Sequence, residues 1–301
     1  MGEILDLKTI HDYNEFLGLE TLNPLVSFVD FSKVDVLKHR CKYFGFYAIF
    51  LKKNIHGPIT YGRNKYDYQE GTLLFIAPGQ VGGINDDGET PHPQGYALLF
   101  HPDLIRGTSL ARRMKEYTFF SYEVNEALHM SERERQTVFN CFGEIQEELQ
   151  HSIDKHSRSI IISNIEVLLN HCLRFYDRQF ASRAVLNSDV LTRFEALLNN
   201  YFNSRKPEEL GLPSVAWCAD QLHFSANYFG DLVKKQTGKS AIDYIHQAVI
   251  GKVKDRLLET NKTVSEIAYE VGFQYPHHLS RLFKKVAGCT PNEYRVQTRM
   301  V

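Results

Sequence analysis

At 301 residues, 43% hydrophobic and 24% charged, with a formal net charge of −1, the chain has the make-up of an ordinary globular protein. It is long enough for two domains, each with its own core. No apolar run reaches bilayer length, and MGEILDLKTIHDYNEF lacks the basic-then-apolar order of a secretory signal, so a cytoplasmic protein with no membrane role is expected. The five cysteines, Cys41, Cys141, Cys172, Cys218 and Cys289, are widely spaced and include no C-x-x-C, which speaks against a disulfide framework and a zinc site and leaves them as small core residues.

The first hundred residues predict short strands. KYFGFYAIFL (Lys42 to Leu51), GTLLFIA (Gly71 to Ala77) and GYALLF (Gly95 to Phe100) are apolar runs separated by Gly, Pro and Asn-Asp-Asp-Gly punctuation, the spacing of a small sandwich or barrel. From Ser131 the period changes. Ser131-x-x-Glu134 is a capping box, and Val138, Phe142, Ile145 and Leu149 follow at helical spacing. A second helix is expected from Ser159 to Phe180. Two readings of this pair stand side by side: a dimerisation face, or a cover over an open side of the sheet. A polar connection, SRAVLNSD, then leads to a helix over Leu191 to Phe202 entered through Ser188, which places a domain boundary near residue 187.

Beyond that boundary the chain repeats itself. At an offset of 49, Ser214, Val215, Cys218, Ala219, Leu222 and Phe224 fall on Thr263, Val264, Ile267, Ala268, Val271 and Phe273. At an offset of 50, Leu232, Lys234, Lys235, Gly238, Ser240 and Tyr244 fall on Leu282, Lys284, Lys285, Gly288, Thr290 and Tyr294. Each copy has the parts of a helix-turn-helix. In the second, Thr263-x-x-Glu266 caps a short helix that Gly272 ends, and Phe273 fills the corner. Pro276 then suits the first turn of a helix with Leu279, Leu282, Phe283 and Val286 on its apolar face. His277, Ser280, Arg281 and Lys284 lie on the opposite, wet face. In the first copy Phe229, Leu232 and Val233 form the stripe, while Asn227, Gly230, Asp231 and Lys234 look outward after an N-cap at Ser225. A helix from about Ala241 to Glu259 joins the copies, with Ile242, Ile245, Val249, Val253 and Leu257 or Leu258 periodic along it. From Gly211 onward the charge is near +4, against −5 for the remainder, which suits a tail that meets an anion.

FSANYFGDLVKKQTGKS (Phe224 to Ser240) and SEIAYEVGFQYPHHLSRLFKKVAGCTPNEYR (Ser265 to Arg295) resemble the AraC/XylS type of bacterial transcription regulators. That resemblance covers about the last hundred residues. It implies an α+β chain in which residues 1–187 form a cupin-like β sandwich or barrel followed by two dimerisation-type helices. Residues 188–301 would form an all-α double helix-turn-helix that binds double-stranded DNA. Carried over by position, base-reading sites fall on Asn227, Gly230 and Asp231, and on Pro276, His277, His278, Ser280 and Arg281. Two departures are visible: Tyr275 stands where a small polar cap is usual, and Gly230-Asp231 where a longer or basic side chain is common. Arg281 is the strongest candidate for a base contact, because a guanidinium can bond guanine O6 and N7 together. Lys234, Lys235, Lys284 and Lys285 suit phosphate contacts. The resemblance further implies a homodimer, an activator touching RNA polymerase, and a small-molecule effector that the sequence does not name.

The N-terminal half offers little chemistry of its own. His56, His92 and His101 are isolated and no H-x-H is present, so no catalytic metal, no cofactor and no enzyme activity are expected. His277-His278 is no metal site either, because adjacent helical residues point apart. Tyr43, Phe46, Tyr47 and Phe50 suit either a core or a ligand cavity. The rival functions are a cupin-type enzyme with an accessory helical tail and a protein-interaction module without DNA.

Overall fold

A computed structural model describes residues 5–34, 42–52, 59–61, 64–66, 71–84, 94–123, 126–182 and 184–299. His56, His92, Cys41 and the Asn-Asp-Asp-Gly stretch lie outside the described residues. The chain separates into two compact units, 1–181 and 182–301.

The first unit contains β1 (Leu5–Leu7), α1 (Ile10–Leu17), β2 (Val26–Asp30), β3 (Lys42–Phe44), β4 (Tyr47–Lys52), β5 (Ile59–Tyr61), β6 (Asn64–Tyr66), β7 (Thr72–Ile76), β8 (Val81–Ile84) and β9 (Gly95–Phe100). After these come α2 (Pro102–Ile105), α3 (Ser109–Arg113), β10 (Leu128–His129), α4 (Glu132–Gln150) and α5 (Ser157–Ser182). The strands form two five-stranded sheets, ordered β1-β3-β8-β5-β6 and β10-β7-β4-β9-β2. Only the β1 and β3 pairing is parallel among the described ladders. Leu7 and Phe44 from one sheet share a core with Val29, Ala48, Ile76 and Leu99 from the other, together with Ile10 and Tyr13 of α1.

KYFGFYAIFL is not one strand. It breaks at Gly45-Phe46, and its halves enter different sheets. The break follows from a close approach: the Gly45 N–H donates to the Leu7 carbonyl at 2.8 Å, and a Cβ on residue 45 would lie 2.4 Å from the Lys8 carbonyl oxygen. Residue 45 must therefore be glycine, and the chain bends there. Of Tyr43, Phe46, Tyr47 and Phe50 only Phe46 is fully buried, and the other three are half-buried. Phe50 stacks on Phe31 at 6.2 Å, and Tyr47 stacks on Phe100 at 4.9 Å.

Helices α4 and α5 cover the outer face of the second sheet. Phe142 of α4 meets Phe28 edge-on at 5.7 Å, and Tyr176 of α5 stacks on Phe119 at 5.4 Å, which itself lies 4.4 Å from Phe75. The Gln179 amide finishes the sheet edge by accepting from the His129 N–H at 2.8 Å and donating to the Ala127 carbonyl at 3.2 Å. A buried strand end would otherwise leave both groups unsatisfied. The Ser131/Glu134 capping box forms as expected, and Arg178 holds the same Glu134 carboxylate at 2.7 Å. On its outer side α5 leaves Ile160 and Val167, two turns apart, 42% and 47% exposed.

The second unit is all helix: α6 (Ala184–Phe202), α7 (Lys206–Leu210), α8 (Val215–Gln221), α9 (Ala226–Thr237), α10 (Ala241–Glu259), α11 (Val264–Glu270), α12 (Pro276–Ala287) and α13 (Pro291–Arg299). Here α6 starts at Ala184, inside the expected polar connection and ahead of an entry at Ser188. SRAVLNSD holds neither Gly nor Pro, so it carries no helix breaker, and polar residues are as common on exposed helix faces as in loops. The strut α10 has 19 residues, about 28 Å at the helical rise, and it packs against α6, α9, α11, α12 and α13. Its buried stripe is Ile245, Val249, Ile250, Val253 and Leu257, while Ile242 and Leu258 are exposed.

Candidate nucleic-acid interface

The duplication read in the sequence is a duplication of backbone geometry. Ser214 caps α8 by accepting from the Trp217 N–H at 3.0 Å, and Thr263 caps α11 by accepting from the Glu266 N–H at 3.2 Å. Cys218 and Ala219 are buried in one copy, as Ile267 and Ala268 are in the other. Past the short helix the turns close on equivalent bonds, Phe224 N–H to the Ala219 carbonyl at 2.9 Å and Phe273 N–H to the Ala268 carbonyl at 2.8 Å. The second helices end alike, with the Gly238 N–H on the Lys234 carbonyl at 2.8 Å and the Gly288 N–H on the Lys284 carbonyl at 3.0 Å. The extra residue of the second copy, Gln274, falls in the turn.

One slot differs. The turn requires a positive φ, supplied by Gly272 at 97° in the second copy but by His223 at 63° in the first. His223 is the one non-glycine with positive φ among the described residues. At Gly272 the chain has a second demand, because an added Cβ would lie 2.7 Å from the Gly211 carbonyl carbon and 3.0 Å from the Pro207 carbonyl oxygen.

Each second helix is anchored by a phenylalanine. Phe229 of α9 is fully buried against Phe194 of α6 at 4.9 Å, and Phe283 of α12 is fully buried against Tyr294 of α13 at 5.6 Å. Leu279 is buried with Phe283, but Leu282 is only half-buried and Val286 is 39% exposed, so the apolar stripe of α12 is narrower than its spacing predicts. Further bonds hold the second copy on the strut. Arg256 of α10 and Lys262 both reach Glu270 of α11 at 2.7 Å. The Arg295 guanidinium of α13 donates to the Leu257 carbonyl at 3.0 Å and the Lys262 carbonyl at 2.6 Å, capping the end of the strut. No periodicity pointed to Arg295, because its partners are backbone carbonyls distant in sequence.

This scaffold leaves one face of each second helix wet. Asn227, Lys234 and Lys235 are exposed on α9, with Gly230 and Asp231 half-buried. On α12, His277, His278, Arg281, Lys284 and Lys285 are exposed and Pro276 and Ser280 half-buried. The set is not uniformly available. Asp231 and Lys235 take part in interactions within the chain, and the Ser280 hydroxyl turns back to the Pro276 carbonyl at 3.3 Å. Lys285 faces Asp243 and half-buried His246 of α10. At Gly230 nothing beyond the adjoining helix backbone lies within 4 Å of where a Cβ would stand, so internal packing does not demand glycine there. Tyr275, His277 and His278 gather at the start of α12, the tyrosine ring 5.6 Å from each histidine and the two histidine rings 4.3 Å apart, closer than adjacent helical positions predict.

Burial pushes Cys218 up to about 12 and raises Cys172 and Cys141 as well, so these three are thiols at neutral pH. His101, read as isolated, N-caps α2 by accepting from the Asp103 N–H at 3.2 Å.

The cap carboxylates give the unit a pH dependence. Glu266 and Glu293 are held below the usual carboxylate range by the backbone N–H groups of Thr263 and Thr290 that they accept, and Asp243 chiefly by the Ser240 hydroxyl. A carboxyl whose folded value is depressed stabilises the fold above its unfolded value, and that contribution is lost as pH falls through the folded value. The helical signal of the second unit is therefore expected to melt at progressively lower temperature below about pH 4.5. A Glu266→Gln, Glu293→Gln variant should show a shallower decline in a pH series of thermal melts.

Two short helices per copy, equivalent turns and a shared strut define a tandem helix-turn-helix. The helix-turn-helix domain family matches residues 218–297. The Tn10 TetD protein of Escherichia coli is 32% identical over 143 residues, which make up 48% of this chain and 91% of TetD. YesN of Bacillus subtilis, a transcriptional regulatory protein, is 32% identical over 143 residues, covering 46% of this chain and 37% of YesN. Among solved structures, the C-terminal domain of AraT, a response regulator from Geobacillus stearothermophilus, is 27% identical. That match covers 36% of this chain and 84% of that one at a TM-score of 0.32. The chain belongs to the AraC type of helix-turn-helix regulators. It spans less than half the length of the first curated relatives that it matches.

Proposed function

We propose that the protein is a sequence-specific, DNA-binding transcription regulator. The observation that carries this reading is the repeated pair of second helices, α9 and α12, each sealed by a phenylalanine on one side and exposing Asn227, Lys234 and Lys235 or His277, His278, Arg281 and Lys284 on the other. In a helix-turn-helix this helix enters the major groove while the first helix braces it. Arg281 reads a guanine, and Lys234, Lys235, Lys284 and Lys285 meet phosphates. Gly230 lets α9 approach the sugar-phosphate backbone closely, a reading supported by the open space at its Cβ position.

Residues 188–301 are the DNA-binding domain, and residues 1–187 are a cupin-like regulatory domain. Its two sheets sharing one core support that reading, and exposed Ile160 and Val167 on α5 support a homodimer formed through this helix. A small-molecule effector regulates DNA binding by preferring one arrangement of the protein, since equal affinity for two states shifts neither. The chain acts in the cytoplasm as an activator in contact with RNA polymerase.

Salt dependence is the test. If four lysines neutralise phosphates, the logarithm of the binding constant should fall linearly with the logarithm of salt, with a slope of about −3.6, and Lys284→Ala should reduce that slope by about 0.9. Binding that ignores salt would reject the interface.

A further inference from the structure

The helices from α8 to α13 start with one device, and α12 is the exception. Ser214, Ser225, Ser240, Thr263 and Thr290 each accept a backbone N–H from the first turn that follows, at 3.0 to 3.3 Å. Tyr275 occupies the same position before α12, in extended backbone, and makes no side-chain cap bond. Replacing Ser, Thr, Asn or Asp at an N-cap by a residue that cannot accept weakens a helix. The weakened helix is the one that carries Arg281.

What stands in place of the cap is a cluster of rings. Tyr275 is 55% exposed, and its ring lies 5.6 Å from those of His277 and His278, both exposed. The rings form a small, contiguous, weakly polar surface at the tip of the helix. Nothing in the core needs it, because Leu279 and Phe283 alone seal the helix to its support. In a helix-turn-helix the residues at this end of the second helix reach base edges. The major-groove edge of thymine is distinguished by its C5 methyl group, which is recognised by apolar contact.

We infer that Tyr275, supported by His277 and His278, is a thymine-reading residue, and that the missing cap is exchanged for this contact. The inference rests on the DNA-binding reading above and adds to it a base preference and a residue outside the predicted interface. It accounts for an exposed tyrosine where the other helices of the tandem place Ser or Thr.

The test uses the full-length protein and a duplex enriched from a randomised pool. Each thymine in the enriched site is replaced singly by deoxyuridine, which removes only the methyl group. In the unaltered protein, one or two thymines under the second copy should each lose about fourfold in affinity on demethylation, the value of burying one methyl group. Tyr275→Ser should bind the thymine duplex more weakly, bind the thymine and uracil duplexes equally, and melt at a higher temperature because the cap is restored. Tyr275→Phe should keep the discrimination. The higher melting point of Tyr275→Ser shows that its loss of affinity is not unfolding. Three results overturn the inference while leaving DNA binding intact: an enriched site without thymine under the second copy, indifference of the unaltered protein to every uracil, or a methyl preference that survives in Tyr275→Ser. Failure to enrich any duplex overturns the DNA-binding reading, and this inference with it.

Discussion

Gly272→Ala is expected to lower the stability of the helical unit by about 3 kcal/mol. Two costs combine: a left-handed backbone disfavours a Cβ by about 1 to 2 kcal/mol, and forcing packed groups apart adds about 1 to 3 kcal/mol. The second cost is specific, because the new methyl would stand 2.7 Å from the Gly211 backbone, which cannot swing away as the end of a flexible side chain can. The matching slot in the first copy makes a control within the same protein. His223 already holds φ 63° and is exposed, so His223→Gly relieves strain but frees the unfolded chain, and a net gain of about 0.5 kcal/mol is expected. Thermal melts of the two variants, followed by helical signal, measure both. A mild effect at Gly272 would mean that α7 and the Gly211 backbone do not press on the second turn.

Arg281→Ala is expected to cost the enriched duplex 1 to 3 kcal/mol in binding, roughly 5- to 150-fold, with little change on scrambled DNA. The difference between the two duplexes matters more than either value. A lysine that meets phosphate lowers affinity for every sequence when removed, whereas an arginine that bonds guanine O6 and N7 lowers it for one. Arg281→Lys should recover charge but only part of the discrimination, since an ammonium on a flexible stem lacks the planar fork that matches O6 and N7. Equal losses on both duplexes would reassign Arg281 to the backbone. Competition titrations against single-base variants would then show no relaxed position.

The second unit was more legible than the first, for reasons that lie in particular residues. Ser225 and Thr263 are local signals: a hydroxyl three residues before the N–H it accepts can be read without knowing the fold, and both cap as expected. The repeat was legible because like residues recur in order, at buried positions such as Cys218 and Ala219 and at exposed ones such as Lys234 and Lys235. The break at Gly45 was not, since it depends on Lys8, a neighbour only in the folded sheet. SRAVLNSD misled because polar residues accompany both loops and exposed helix faces. The positive φ of His223 could have been found by aligning the copies, where histidine falls on Gly272. In the proposed interface, exposure of α12 followed from its period, but the engagement of Asp231, Lys235 and Ser280 depends on neighbours that periodicity does not weigh.

Hydroxyl-radical footprinting of the full-length protein on its enriched duplex addresses the whole proposal at once. A strut of about 28 Å joining two second helices should place them in successive major grooves. The expected pattern is two protected windows on one face of the duplex, centred about 10 base pairs apart. A single window, or two windows half a turn apart and so on opposite faces, would contradict it.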